Sequence, residues 1–141
     1  MSAPSYDEIE AGYELPSVRV RLTRADLVRY AGASGDFNII HWNERVAREV
    51  GLPDVIAHGM LTMAKGANLV TEWAGDPARI VEYGVRFGQP VPVPDTDDGA
   101  TLVITAKVGK KLDGKQVRVD LDARCGEDKV LSMARAVVQL D

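Results

Sequence analysis

The chain reads as one α+β domain, with helices early and a meander of antiparallel strands after them. Three observations predict this. Apolar residues recur at helical spacing from Met60 to about Trp73, whereas Val117 to Cys125 and Ser132 to Leu140 alternate apolar with other residues, the period of a strand with one buried face. Turn formers, Asp113-Gly114 and Gly126-Glu127-Asp128, separate the later alternating runs, which suits hairpin connections. With 141 residues and 45% hydrophobic content, residues 1–141 form a single domain of a size that can bury a core.

Taken in order, residues 1–13 are a polar, acidic lead-in, unlike a secretory signal. Ser17 to Leu22 alternates apolar and basic residues, as a half-buried strand does. Thr23 and Asp26 have the spacing of a capping box. Leu27, Val28 and Ala31 are the expected buried face of that helix, and Gly32 and Gly35 are expected to end it. Asn43 suits the N-cap of a second helix over 44–50, stopped by Gly51 and then Pro53.

The third helix is the long one. Met60, Met63, Ala64, Ala67 and Val70 or Thr71 mark its expected apolar face, and it ends near Trp73 to Pro77. Its small residues Ala64, Gly66 and Ala67 require something packed close against it, such as a sheet. Strands follow over Val81 to Phe87 and Thr101 to Val108, with Leu102, Ile104, Ala106 and Val108 inward. Pro90 to Gly99 is a proline-rich acidic loop between them. Cys125 shares a face with Val117, Val119, Leu121 and Ala123, so it reads as core.

Composition narrows the function. A net charge of −4 argues against a general nucleic-acid binder, which needs a basic face to neutralise phosphates. A single cysteine cannot form an internal disulfide, and no apolar run reaches membrane-spanning length. A cytoplasmic protein without a membrane or nucleic-acid partner is expected. Lys107, Lys110, Lys111 and Lys115 cluster around one hairpin. Such a run is either a solvated face or a contact for the phosphates of coenzyme A or an acidic carrier protein.

The chemistry concentrates between Tyr30 and Ala47. His41, one of two histidines, follows Asp36 by five residues, with Asn38 between them. Glycines precede Asp36 and a new helix begins after His41, so the segment reads as a loop between helices. A carboxylate and an imidazole on one short loop can share a water molecule, and both are proton-transfer groups.

This stretch, Tyr30-Ala-Gly-Ala-Ser-Gly-Asp36-Phe-Asn38-Ile-Ile-His41 with Ala47 six residues on, resembles the signature of the MaoC-like R-specific enoyl hydratases. Ile56-Ala-His58-Gly59-Met60-Leu61-Thr62 resembles the family's second hallmark. Glu82-Tyr-Gly-Val-Arg-Phe87 and Pro90 to Pro94 extend the likeness, which runs from about Glu14 to the C-terminus. It is similar in particular to the catalytic B subunits of the actinobacterial (3R)-hydroxyacyl-acyl-carrier-protein dehydratases. One departure is Ile39, which stands where the family has proline.

The resemblance implies a hot-dog fold, an antiparallel sheet wrapped around a long central helix, with two such units paired side by side. It implies reversible hydration of trans-2-enoyl thioesters to (R)-3-hydroxyacyl thioesters in fatty-acid metabolism, on coenzyme A or acyl carrier protein. Asp36 and His41 would be catalytic. Gly59 N–H would bind the thioester oxyanion, with Asn38 and His58 beside the substrate. Asn38 would support the loop, while His58 reads as a capping or packing residue. The expected partner is an identical chain or a related hot-dog subunit.

Two rival readings belong to other classes. Hot-dog thioesterases commonly carry a carboxylate near the start of the central helix, and here no acid appears before Glu72. A non-catalytic acyl-binding or partner subunit would be expected to lack Asp36 or His41, and both are present. Asp36, His41 and His58 are also ligand types of non-haem iron, but they lack the His-x-Asp/Glu spacing of that class. No metal or cofactor is expected.

Overall fold

A computed structural model describes residues 4–141; the first three residues of the lead-in lie outside the described range. Five strands form one antiparallel sheet: β1 (Val18–Leu22), β2 (Ile80–Phe87), β3 (Ala100–Leu112), β4 (Gln116–Cys125) and β5 (Asp128–Gln139). Three α-helices accompany it: α1 (Arg24–Ser34), α2 (Glu44–Glu49) and α3 (Gly59–Ala74). The sheet order is β1-β3-β4-β5-β2. Only β3, β4 and β5 therefore form a meander, and β1 and β2 occupy opposite edges.

Alternation dictates which face is buried. Leu102, Ile104, Ala106 and Val108 of β3, Val117 to Ala123 at every second position of β4, and Ala134, Ala136 and Val138 of β5 are all buried. In an extended chain successive side chains point to opposite faces, so these residues form one apolar floor. Helix α3 lies on that floor in contact with β2, β3, β4 and β5. This is the hot-dog arrangement, a sheet wrapped around a central helix.

The face that α3 buries differs from the expected one. Leu61, Thr62, Gly66, Leu69, Val70 and Ala74 are buried, whereas Met60 is exposed. The expected and observed faces are offset by about one residue, roughly 100° around the helix. Close approach is real at Gly66, where an added Cβ would lie 2.7 Å from the Tyr83 hydroxyl of β2. That hydroxyl donates to the Met63 carbonyl at 2.8 Å, which fixes the strand against the helix.

Helix α1 begins with the expected capping box. The Thr23 side chain accepts from the Asp26 amide, and the Asp26 carboxylate accepts from the Thr23 amide at 2.8 Å. Leu27 and Ala31 are buried as expected, but Val28 is exposed. Gly32 lies inside the helix, and Gly35 alone ends it in a left-handed conformation with φ 75°. Glycine enters that region without a Cβ penalty.

The lead-in is polar in composition yet docked. Ile9 is buried, Gly12 N–H donates to Val108 O at 2.7 Å and Leu15 N–H donates to Ala106 O at 2.9 Å. Lys111 of the basic hairpin lies over the Tyr6 ring, 4.1 Å from its centroid, and donates to Tyr6 O at 2.9 Å. Among the described residues, no helix is long and apolar enough to cross a membrane.

Candidate active site

The loop after α1 is wound by its own side chains. Ser34 Oγ donates to Tyr30 O at 2.7 Å and accepts from the Asp36 amide at 3.1 Å. Asp36 Oδ1 accepts from the Asn38 amide at 3.1 Å, and Asn38 Oδ1 accepts from the Ile40 amide at 3.4 Å. Short polar side chains that bond backbone two residues on are the usual way to build such turns. The second of them starts a 3-10 turn, Ile39–His41, that carries the imidazole. Asn38 thus shapes the loop between the two candidate catalytic residues.

His41 is fixed from the far side. Its Nδ1 lies 2.6 Å from the Ile56 carbonyl, and the Ile56 amide donates to Ile40 O at 3.2 Å. A carbonyl only accepts, so Nδ1 carries the proton in neutral His41 and Nε2 presents a lone pair. That lone pair faces the Asp36 carboxylate, with Nε2 to Oδ2 at 3.9 Å. Such a separation is too long for a direct hydrogen bond. The two groups differ in setting: the His41 side chain is 10% exposed and that of Asp36 is 51% exposed.

The segment before α3 is anchored as well. The Ala57 amide donates to Val91 O at 2.9 Å, and the Val93 amide donates to Val55 O at 2.8 Å. Arg24 ties this framework to α2: Nε donates to Val93 O at 2.7 Å, while one terminal nitrogen reaches Asp54 at 2.5 Å and Glu44 at 3.1 Å. The proline-rich loop therefore braces the strap that positions His41.

Gly59 opens α3, and the His58 side chain makes no capping bond to it. The first amides of an α-helix have no intrahelical acceptor and sit at the positive end of its dipole. Gly59 also needs to be small, since a Cβ would meet the Phe87 ring at 3.0 Å. A cavity of about 300 Å³ opens here, lined by His41, Gly59, Thr62, Phe87, Val91 and Val130 among others. Its wall thus comes from both halves of the chain.

His58 is buried, and its ring stacks on His41 with centroids 3.8 Å apart. Its Nε2 lies 3.1 Å from the Asp36 carbonyl. Burial is the main cause that pushes the His58 pKa below the ordinary histidine value. Asp36, His41 and His58 each bring a possible ligand atom within 4.8 Å of one another. The two imidazole planes are tilted by only 24°, however, and imidazole binds metals through in-plane lone pairs. Stacked planes do not converge on one ion at ligand distance, so the trio does not fit a metal.

Of the five predicted site residues, His41 and Gly59 line this cavity, Asp36 and His58 adjoin His41, and Asn38 lies in the loop between Asp36 and His41 outside the lining. Sequence reasoning passed over the wall residues Thr62 and Phe87 and the Ile56 carbonyl. Phe87 and Thr62 lie in motif stretches, but only the folded chain shows what they touch.

Comparison with known proteins places the chain in a family. Over 81 residues the chain is 46% identical to 3-hydroxyacyl-thioester dehydratase X of Mycobacterium tuberculosis, a match covering 57% of this chain and 28% of that protein. It is 33% identical over 107 residues to an (R)-specific enoyl-CoA hydratase of Rhodospirillum rubrum, covering 75% of this chain and 73% of that one. A solved MaoC-like dehydratase superposes with a TM-score of 0.94 at 41% identity, covering 99% of this chain and 43% of that chain. The MaoC like domain family matches residues 8–124. On that match, which spans most of its length, the chain belongs to the MaoC-like dehydratase domain family.

Proposed function

We propose that the chain catalyses reversible addition of water to trans-2-enoyl thioesters, giving (R)-3-hydroxyacyl thioesters carried on coenzyme A or acyl carrier protein. The observation that carries this reading is the facing of His41 Nε2 and Asp36 Oδ2 at 3.9 Å beside the unbonded start of α3. A water donating one hydrogen to each group would be held with a lone pair free.

In hydration, that oxygen bonds to the β-carbon as the Asp36–His41 pair removes one of its protons. The π electrons move toward the carbonyl, and Gly59 N–H with the helix dipole stabilises the enolate-like oxygen. The pair then delivers a proton to the α-carbon, so one water adds across one double bond. Both groups stand on the same loop, hence both additions occur on one face. The reverse sequence is dehydration. No metal or redox cofactor takes part in these steps.

The R configuration and the coenzyme A thioester follow the names of the relatives, whereas the fatty-acid setting and the acyl carrier protein follow the sequence resemblance. A second hot-dog unit, identical or related, is part of the proposal. Strand β2 is a sheet edge, and Val81, Phe87 and Met60 are exposed on or near it, a surface of the kind that partners cover. The first turn of α3 carries no acidic residue, which disfavours the thioesterase reading.

The test is to incubate the chain with trans-2-enoyl-coenzyme A and resolve the products by chiral chromatography. An (R)-3-hydroxyacyl thioester is expected. Release of free coenzyme A thiol would instead support hydrolysis, and an (S) product would overturn the proposal. No turnover, alone or with a related subunit, would favour a binding role.

A further inference from the structure

We infer that His58 is a positioning residue for the Asp36–His41 pair, holding the backbone of one and the ring of the other, and that it does so only as the neutral Nε2–H tautomer. This inference rests on the proposed hydration chemistry for its kinetic consequences, but its structural content stands apart.

The geometry assigns the tautomer. Nε2 is 3.1 Å from the Asp36 carbonyl, and because a carbonyl accepts only, Nε2 must donate. The other nitrogen, Nδ1, is buried without a hydrogen-bond partner. A proton there would put a second N–H where nothing receives it, and a charge where solvent does not reach, since His58 is 1% exposed. The titratable groups facing the ring are Asp36 and His41 from the loop and Tyr30 of α1, whose ring meets it edge-on at 4.8 Å.

The contact matters because of where Asp36 sits. Its carboxylate is half exposed, and it follows a glycine in left-handed backbone. His58 reaches the Asp36 carbonyl from the interior, across 22 residues of sequence. The same ring stacks on His41 at 3.8 Å. One buried side chain therefore sets the separation between the two groups that would share the water. Protonation of His58 would replace an acceptor-free nitrogen by a buried cation against both, so the pair loses its alignment as pH falls.

Two variants and one spectrum test this. The chain has two histidines, so long-range proton–nitrogen spectra of histidine-labelled protein resolve both rings without any substrate. The expected result is an Nε2–H tautomer for His58 that stays neutral below the pH at which an exposed histidine titrates. An Nδ1–H tautomer, or ordinary titration, overturns the inference even if the chain is active.

His58→Phe keeps a ring in the stack and removes the donor, whereas His58→Gln restores a neutral donor of similar reach. On trans-2-enoyl-coenzyme A, His58→Phe is expected to lower kcat by about tenfold to a hundredfold, with KM changed by about twofold or less. His58→Gln is expected to recover a substantial part of kcat and to move the acid limb of the pH profile downward. A folded His58→Phe variant with normal kcat, or a Gln variant no better than Phe, overturns the inference. If His58→Phe fails to fold, the tautomer spectrum decides. An inactive wild-type chain would count against the hydration chemistry, and the spectra would still decide the tautomer.

Discussion

Asp36 Oδ2 faces His41 Nε2 across 3.9 Å, while each residue is held by a different part of the chain: Asp36 by its own loop and His58, His41 by the Ile56 carbonyl. The pair is therefore a gap between two groups with different hydrogen-bond anchors and one shared support, the His58 ring. What the gap holds, and what each side does to it, can be tested separately.

Removing either group should abolish turnover without unfolding the chain. Asp36→Asn and His41→Ala are each expected to lower kcat by at least about a hundredfold, the usual scale for proton-transfer groups. Because both act on one water, the double variant should be little worse than the poorer single variant. Thermal denaturation checks folding, and additive losses in the double variant would show that the two act independently.

Gly59→Ala separates the helix start from the rest of the fold. The added methyl would meet the Phe87 ring at 3.0 Å, but Phe87 is largely exposed and can move. Stability should change by no more than about 1 kcal/mol, whereas activity should fall by about tenfold or more through the displaced cavity wall and the proposed oxyanion contact. Pairing it with Phe87→Ala should restore part of the activity.

Gly66→Ala is expected to act in the opposite sense, on folding first. Its methyl would press on the Tyr83 hydroxyl at 2.7 Å, and overpacking of this kind costs about 1–3 kcal/mol. Tyr83→Phe removes that oxygen, so the two changes should be strongly non-additive in urea denaturation.

Tyr83 also makes a pH prediction. Burial raises its pKa from 10.0 to about 12, because the phenolate is disfavoured between strand and helix. The unfolded chain then ionises first as pH rises, so the stability contribution is complete below the unfolded value and is lost between pH 10 and about 12. Tyr83→Phe should flatten that part of the stability curve, and an unchanged slope would contradict the assignment.

Arg24 should be worth more than a surface ion pair. It satisfies the Val93 carbonyl and two carboxylates, Asp54 and Glu44, that are both partly shielded from solvent. Arg24→Ala is expected to cost about 1–3 kcal/mol, since partly buried acceptors lose their donor. Arg24→Lys, with one point of contact in place of a fork, should lie between.

Much of this was legible from local pattern. The strands show in two-residue alternation, the capping box in Thr23 and Asp26, and the candidate catalytic pair in one contiguous loop. What escaped depends on distant contacts. Val28 and Met60 fit an apolar stripe, yet both are more than half exposed, because helical periodicity leaves the phase of a face ambiguous by one residue. The role of His58 depends on a carbonyl and a ring from the preceding loop, and Gly66 reveals its purpose only when Tyr83 arrives from β2. The lead-in looked featureless because a segment that docks through its backbone and a few side chains needs no periodicity. The expected meander holds for β3, β4 and β5 but not for β2, which pairs with β5 at the far edge, since alternation marks a strand but not its neighbour.

That strand order has a consequence for how the chain acquires its shape. The residues of the proposed catalytic pair precede position 42, and α3 is complete by Ala74, but β3, β4 and β5 come from residues 100–139. During synthesis the apolar side of α3, with Leu61, Leu69 and Val70, emerges well before the strands that will cover it. The hairpins β3–β4 and β4–β5 can close locally, whereas β1 must find β3 and β2 must find β5 across long intervals of sequence. Contacts of such separation slow folding because loop closure precedes their reward. The nascent chain thus carries an uncovered apolar helix face until β5 is made, and exposed apolar surface of that kind is prone to aggregation.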